Sequence, residues 1–134
     1  MNTGLRLLSA TLIVFFWSES SISQPNWVPT YEVPGVSVAY YDANSLRYDQ
    51  GLVWLKSWVK YDHVMMLRTF QYDEFVALHH FSCDRGQNYD FVDMMTYSLN
   101  GQNVETTYSV APKRFPSGDI LDKIRDVACK GVGH

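Results

Sequence analysis

Two cysteines, Cys83 and Cys129, constrain this chain more than any other feature, because the sequence before them reads as an export signal. The opening stretch "MNTGLRLLSATLIVFFWSESSISQ" places one positive charge, Arg6, ahead of an apolar-to-small run from Leu7 to Trp17. Ser21 and Ser23 then supply the small residues of a cut before Gln24, which makes residues 1–23 a secretory signal peptide by pattern. The apolar run falls well short of the roughly 20 residues that span a bilayer, so cleavage is expected and an integral membrane segment in the mature chain is not. No cysteine stands near the cut to carry a lipid. The expected location is therefore outside the cytoplasm, periplasmic or secreted to the cell surface, without a lipid anchor.

Export decides how the thiols are read. Outside the cytoplasm paired cysteines oxidise, and a bridge between Cys83 and Cys129 would restrict the unfolded chain by roughly 4 kcal/mol in the chain-entropy view. The rival readings are a metal pair and a nucleophile, but neither the CxxC spacing nor a full ligand set is present. A structural disulfide is expected. The mature chain of about 111 residues is one domain by length, small enough that such reinforcement matters. The net charge of −3 offers no excess of Lys and Arg to displace counterions, which argues against nucleic acid as a partner.

Alternation dominates the middle of the chain. "QPNWVPTYEVPG" carries three prolines and reads as an extended leader over residues 24–35. Within the domain at 36–134, "VSVAYYD" is a short strand, and "DANSLRYDQG" is a turn region. "LVWLKSWVKY" puts Val53, Leu55 and Val59 on one face and Trp54, Lys56, Trp58 and Lys60 on the other. Residues 63–74 are ambiguous between a strand and an irregular crossing. "FVALHHFSC", "YDFVDMMTYS" and "NVETTYS" follow as strands, the last two joined at "NG", the strongest short hairpin signal.

With Asn100 and Gly101 as a two-residue turn, Tyr97 faces Val104, Met95 faces Thr106 and Asp93 faces Tyr108. With "RGQ" as a three-residue loop, Phe81 faces Phe91, Ala77 faces Met95 and His79 faces Asp93. Phe75, Phe81, Phe91, Met95, Tyr97, Val104 and Tyr108 then share one face, and Cys83 joins it by parity. This register is conditional, since a slip of one residue turns every side chain over.

The period changes after Pro116. "SGDILDKIRDVACKG" spaces Ile120, Leu121, Ile124, Val127 and Ala128 for a helix, with Ser117 as N-cap, Asp119 in the first turn and Gly131 at the stop. An amphipathic helix this short needs a surface to cover. The expected fold is α+β: an antiparallel meander of five to six strands with the C-terminal helix packed on one face and disulfide-linked to it. Cys129 falls off the centre of the apolar stripe on an ideal helix, so an unwound last turn is expected there.

The order of these motifs resembles the surface-adhesin protein E family of bacterial exported proteins. The likeness runs from about Trp27 to Lys130 through "YYDANSL", "VWLKSWV", "SCD", the "NG" hairpin and "DILDKIRDVAC". The resemblance implies the same sheet-and-helix fold, with Cys83 and Cys129 matching the family's cysteine pair. It further implies a role in cell adhesion at the bacterial envelope, binding host or matrix proteins, and a homodimer as one state. The founding adhesin is a lipoprotein, and this chain departs from it there.

Two sets of residues are candidates for chemistry. The row His79, Asp93 and Tyr108 could shift proton affinities and do acid–base work, or simply satisfy itself as a hydrogen-bonded polar row. The stripe Trp54, Lys56, Trp58 and Lys60 offers indoles with cations between them, suited to stacking on sugars or peptide side chains. His79, His80 and Asp84 do not make a zinc set, because adjacent strand residues point to opposite faces; no metal and no cofactor is expected. His63 and His134 suggest no site. The leading reading is an exported, non-enzymatic binding protein that contacts another protein or an envelope or matrix component through the outer sheet face. The alternative is a small periplasmic enzyme or inhibitor using His79, Asp93 and Tyr108.

Overall fold

The computed structural model describes residues 24–130. The expected signal peptide, the stop at Gly131 and His134 lie outside the described residues. In chain order the elements are β1 (Trp27–Val33), β2 (Ser37–Asp42), a 3-10 turn (Ala43–Ser45), β3 (Arg47–Asp49), β4 (Leu52–Leu67), β5 (Phe70–Ser82), β6 (Tyr89–Leu99), β7 (Gln102–Arg114) and α1 (Ile120–Ala128). One seven-stranded sheet runs in the order β1-β2-β4-β5-β6-β7, with β3 paired to β4, and every pairing is antiparallel. The expected antiparallel meander closed by a C-terminal helix is the fold observed. Among the described residues no helix is long and apolar enough to cross a membrane.

The strand count exceeds the expected five to six for local reasons. The proline-rich leader is extended, and it is hydrogen-bonded to β2 as an edge strand, the place where a strand tolerates proline. Inside the expected turn region, Arg47–Asp49 pairs with β4 through a two-residue turn at Gln50 and Gly51, whose φ values are 51° and 82°. The ambiguous stretch 63–74 forms the tip of the β4–β5 hairpin, where the pairing is irregular between Lys60 and Met65.

Asn100 and Gly101 close the β6–β7 hairpin as expected, with φ of 51° and 83°, the pair of left-handed conformations that a type I′ turn demands. The register beyond the turn corrects the sequence reading. Irregularities beside Tyr97 and Ser98 pair Tyr97 with Glu105, Met95 with Thr107 and Met94 with Tyr108. Between β5 and β6, Ala77 does face Met95, but a bulge at Asp93 then pairs His79 with Val92 and His80 with Phe91. A bulge inserts one unpaired residue and re-aims those beyond it. Phe91 and Tyr108 consequently leave the helix-side face on which the simple alternation put them. The β5–β6 connection is also longer than "RGQ", spanning the residues between Ser82 and Tyr89.

Helix α1 packs over one end of the sheet. Val53, Leu55, Phe81, Cys83, Phe115, Ile124 and Cys129 form the buried cluster, flanked by Ile120, Leu121 and Ala128. Asp119, not Ser117, caps the helix: the Leu121 N–H donates to Asp119 Oδ2 at 3.0 Å. Gly118 turns the chain with φ of 85°, and its N–H donates to Asp122 Oδ2, so the helix begins later than the serine would place it. At the other end Cys129 is the C-cap, fully buried and bonded to Cys83 across 46 residues with the two Cα atoms 6.0 Å apart. The helix therefore ends at the cysteine, and Val127, expected in the apolar stripe, is 67% exposed.

Arg125 takes the place in the core that the sequence assigned to apolar residues. It is buried, with its guanidinium 5.4 Å from the Phe115 ring centroid. Its Nη1 donates to the Asp84 carbonyl at 3.1 Å, and its Nη2 donates to Asn88 Oδ1 at 2.7 Å and Asp122 Oδ1 at 2.6 Å. The loop after Cys83 is thus held twice to the helix, once by sulfur and once by this fork of charge-assisted bonds.

Candidate functional site

The two faces of the sheet carry different chemistry. Since Val53 and Leu55 belong to the helix-side cluster, alternation along β4 puts Trp54, Lys56, Trp58 and Lys60 on the opposite, outer face. Trp58 stacks on Tyr40 of β2 with centroids 5.0 Å apart and meets Trp27 of β1 at 5.2 Å. Its indole N–H donates to Glu74 Oε1 at 2.7 Å, and Lys60 Nζ lies 5.3 Å from its ring centroid. Trp54 stands 4.7 Å from the His80 ring, and His80 lies parallel to Phe91 at 4.9 Å.

The outer face is therefore two aromatic tiers, Trp27–Tyr40–Trp58 and Trp54–His80–Phe91, with Lys56 paired to Leu78 between them. The cations sit differently from the sequence expectation. Lys60 serves Trp58, but Trp54 receives Arg47, 5.4 Å from its centroid, from the short strand β3. His80 Nδ1 lies 2.8 Å from Asp93 Oδ2, so the imidazole is fixed between two rings by a carboxylate. Aromatic faces, flanking cations and two carboxylates within one surface are the ingredients of recognition by stacking, cation–π contact and ion pairing. The rings of Trp27, Tyr40, Trp54, Trp58 and His80 are half-buried by their neighbours, while Arg47, Lys60 and Phe91 stand exposed at the margins.

The row expected from His79, Asp93 and Tyr108 is not assembled. The bulge at Asp93 turns its carboxylate to His80, and Tyr108 is 68% exposed opposite Met94. His79 instead joins residues the sequence reading did not connect to it. On the helix-side face its Nε2 is 2.6 Å from Ser57 Oγ, and its Nδ1 is 2.9 Å from Asp90 Oδ1 and 3.1 Å from Oδ2. An ionised carboxylate only accepts, so Nδ1 carries a proton toward Asp90, and in the neutral form of this imidazole Nε2 is the acceptor for the serine hydroxyl. His79 and Asp90 are 13% and 15% exposed.

Farther along the same face, Tyr61, Phe70, Tyr72, Phe75 and Tyr97 form an aromatic cluster beneath the β4–β5 hairpin tip. Burial, followed by the neighbouring Tyr72, pushes the phenols of Tyr61 and Tyr97 above the ordinary tyrosine value. The phenols of Tyr61 and Tyr97 therefore stay protonated near neutrality. Among the described residues no group of three His, Cys, Asp or Glu side chains is placed to hold a metal ion.

Comparison of the chain with models of known protein families, with curated proteins and with solved structures finds no match.

Proposed function

We propose that this protein is an exported binding protein of the surface-adhesin E type, contacting another protein or an envelope or matrix component through the outer face of its sheet. The observation that carries the reading is the pair of aromatic tiers on β4 and its neighbours, to which α1 does not belong. The helix closes the opposite side, leaving Trp54, Trp58, His80 and Phe91 beside Arg47, Lys56 and Lys60 with no described element over them. Aromatic and Arg side chains are the ones that dominate binding energy at protein interfaces. The disulfide suits an oxidising compartment, where such a domain would meet its partners.

Immobilised domain, residues 24–134, tests this against envelope and extracellular-matrix preparations and against its own free form. Retention of a defined protein or of a second copy, lost in the Trp54→Ala/Trp58→Ala variant while that variant still unfolds cooperatively, supports the reading. Retention that survives the double substitution places binding elsewhere.

A further inference from the structure

On the helix-side face, away from the aromatic tiers, Ser57, His79 and Asp90 form a diagonal chain across three adjacent strands. Ser57 on β4 is paired with Ala77, and His79 is the next same-face residue of β5; Asp90 is the residue two before His79's partner Val92 on β6. The bulge at Asp93 is what brings Asp90, rather than Asp93, to the imidazole. The order of atoms is hydroxyl to Nε2 and Nδ1 to carboxylate, at 2.6 Å and 2.9 Å. That is the arrangement in which a serine hydroxyl is activated as a nucleophile, recognised by geometry and roles on any fold.

The relay opens onto a cleft of about 210 Å³ between sheet and helix, which Ser57 and His79 line together with Tyr41, Leu55, Val59 and Ile124. A polar relay kept only to satisfy itself has no need of an apolar cleft against its hydroxyl. The walls suit a short aliphatic group. Tyr41 is the direct cross-strand partner of Ser57 and lines the same cleft.

We propose that Ser57, His79 and Asp90 hydrolyse carboxylic esters of short apolar acyl groups. Ser57 Oγ attacks the ester carbonyl carbon while its proton passes to His79 Nε2. The C–O bond to the alcohol then breaks, and the departing alkoxide takes that proton. Water deprotonated by Nε2 attacks the acyl-serine, releasing the carboxylic acid and restoring the Ser57 hydroxyl. Asp90 is a positioning residue: it holds the Nδ1–H tautomer and the charge of the transient imidazolium.

The folded oxidised domain is treated with p-nitrophenyl acetate and, separately, with an alkyl fluorophosphonate, and the adduct is mapped by mass. The expected result is a burst of p-nitrophenolate and a single phosphonyl adduct on Ser57 of the unaltered protein. Ser57→Ala and His79→Ala should each lower turnover by at least about 100-fold. Asp90→Asn should lower kcat with KM held, and Asp90→Glu should recover part of it. Absence of burst and adduct in wild-type protein of native circular dichroism, an adduct on another residue, or turnover that survives Ser57→Ala each overturns the proposal. Because the outer face takes no part, failure here leaves the binding reading standing, and the reverse holds too.

Discussion

Arg125 Nη1 lies 3.1 Å from the carbonyl oxygen of Asp84, so a guanidinium from the closing helix grips the loop that leaves Cys83. The same side chain holds Asn88 and Asp122 and lies over Phe115. Methionine would fill much of its volume but leave the Asp84 carbonyl and the Asn88 amide oxygen without this donor, and Asp122 without its closest cation. Arg125→Met should cost roughly 3 kcal/mol, the range seen when one partner of a buried ion pair is removed. Urea unfolding with an unchanged slope and a lower midpoint checks this.

The disulfide closes a 46-residue separation. In the chain-entropy account its loss costs roughly 4 kcal/mol, a large part of what a domain this size possesses. Cys83→Ser/Cys129→Ser should lower the thermal midpoint by on the order of 15 °C. A midpoint that moves by only a few degrees would mean Arg125 and the apolar cluster hold the helix unaided.

Acid should loosen the helix start. The Gly118 N–H, then Arg125 and Arg85, hold the Asp122 carboxyl below its ordinary value of 3.8. A carboxyl with a depressed folded pKa binds fewer protons when folded. Its contribution is complete above the ordinary value and disappears as pH falls below about 4. Stability measured from pH 7 to pH 2 should therefore fall less steeply at the acid end in Asp122→Asn than in wild type.

Trp58 and Glu74 should prove energetically coupled. The indole N–H donates to Glu74 Oε1 at 2.7 Å on the outer face. Trp58→Phe should cost about 1–2 kcal/mol, with Glu74→Gln adding little in that background. A double-mutant cycle of unfolding free energies reads the coupling directly. Additive losses would mean the contact contributes nothing beyond packing.

Much of this fold was legible from residues whose local preference agrees with their place. Asn100 and Gly101 specify their turn outright, Val53 and Leu55 against Trp54 and Trp58 give β4 two distinct faces, and Ile120, Leu121 and Ile124 announce a helix. What stayed hidden is an insertion of single residues into ladders. Asp93 and the Tyr97–Ser98 irregularity each move a register by one, and the whole polar row moves with them. Nothing in the composition of "YDFVDMM" marks which residue bulges, so Ser57 and Asp90 could not be joined to His79 from the sequence. Arg125 was hidden for a different reason: a cation inside a helical stripe reads as surface until the carbonyls that surround it are known.

Hydroxyl-radical footprinting of the domain with and without its captured partner tests most directly which side of the sheet does the binding. Protection at Trp54, Trp58 and Phe91, with Val127 on the helix as reactive as in the free protein, is the result predicted. Protection confined to Val127 and its neighbours on α1, with the indoles unchanged, would contradict it.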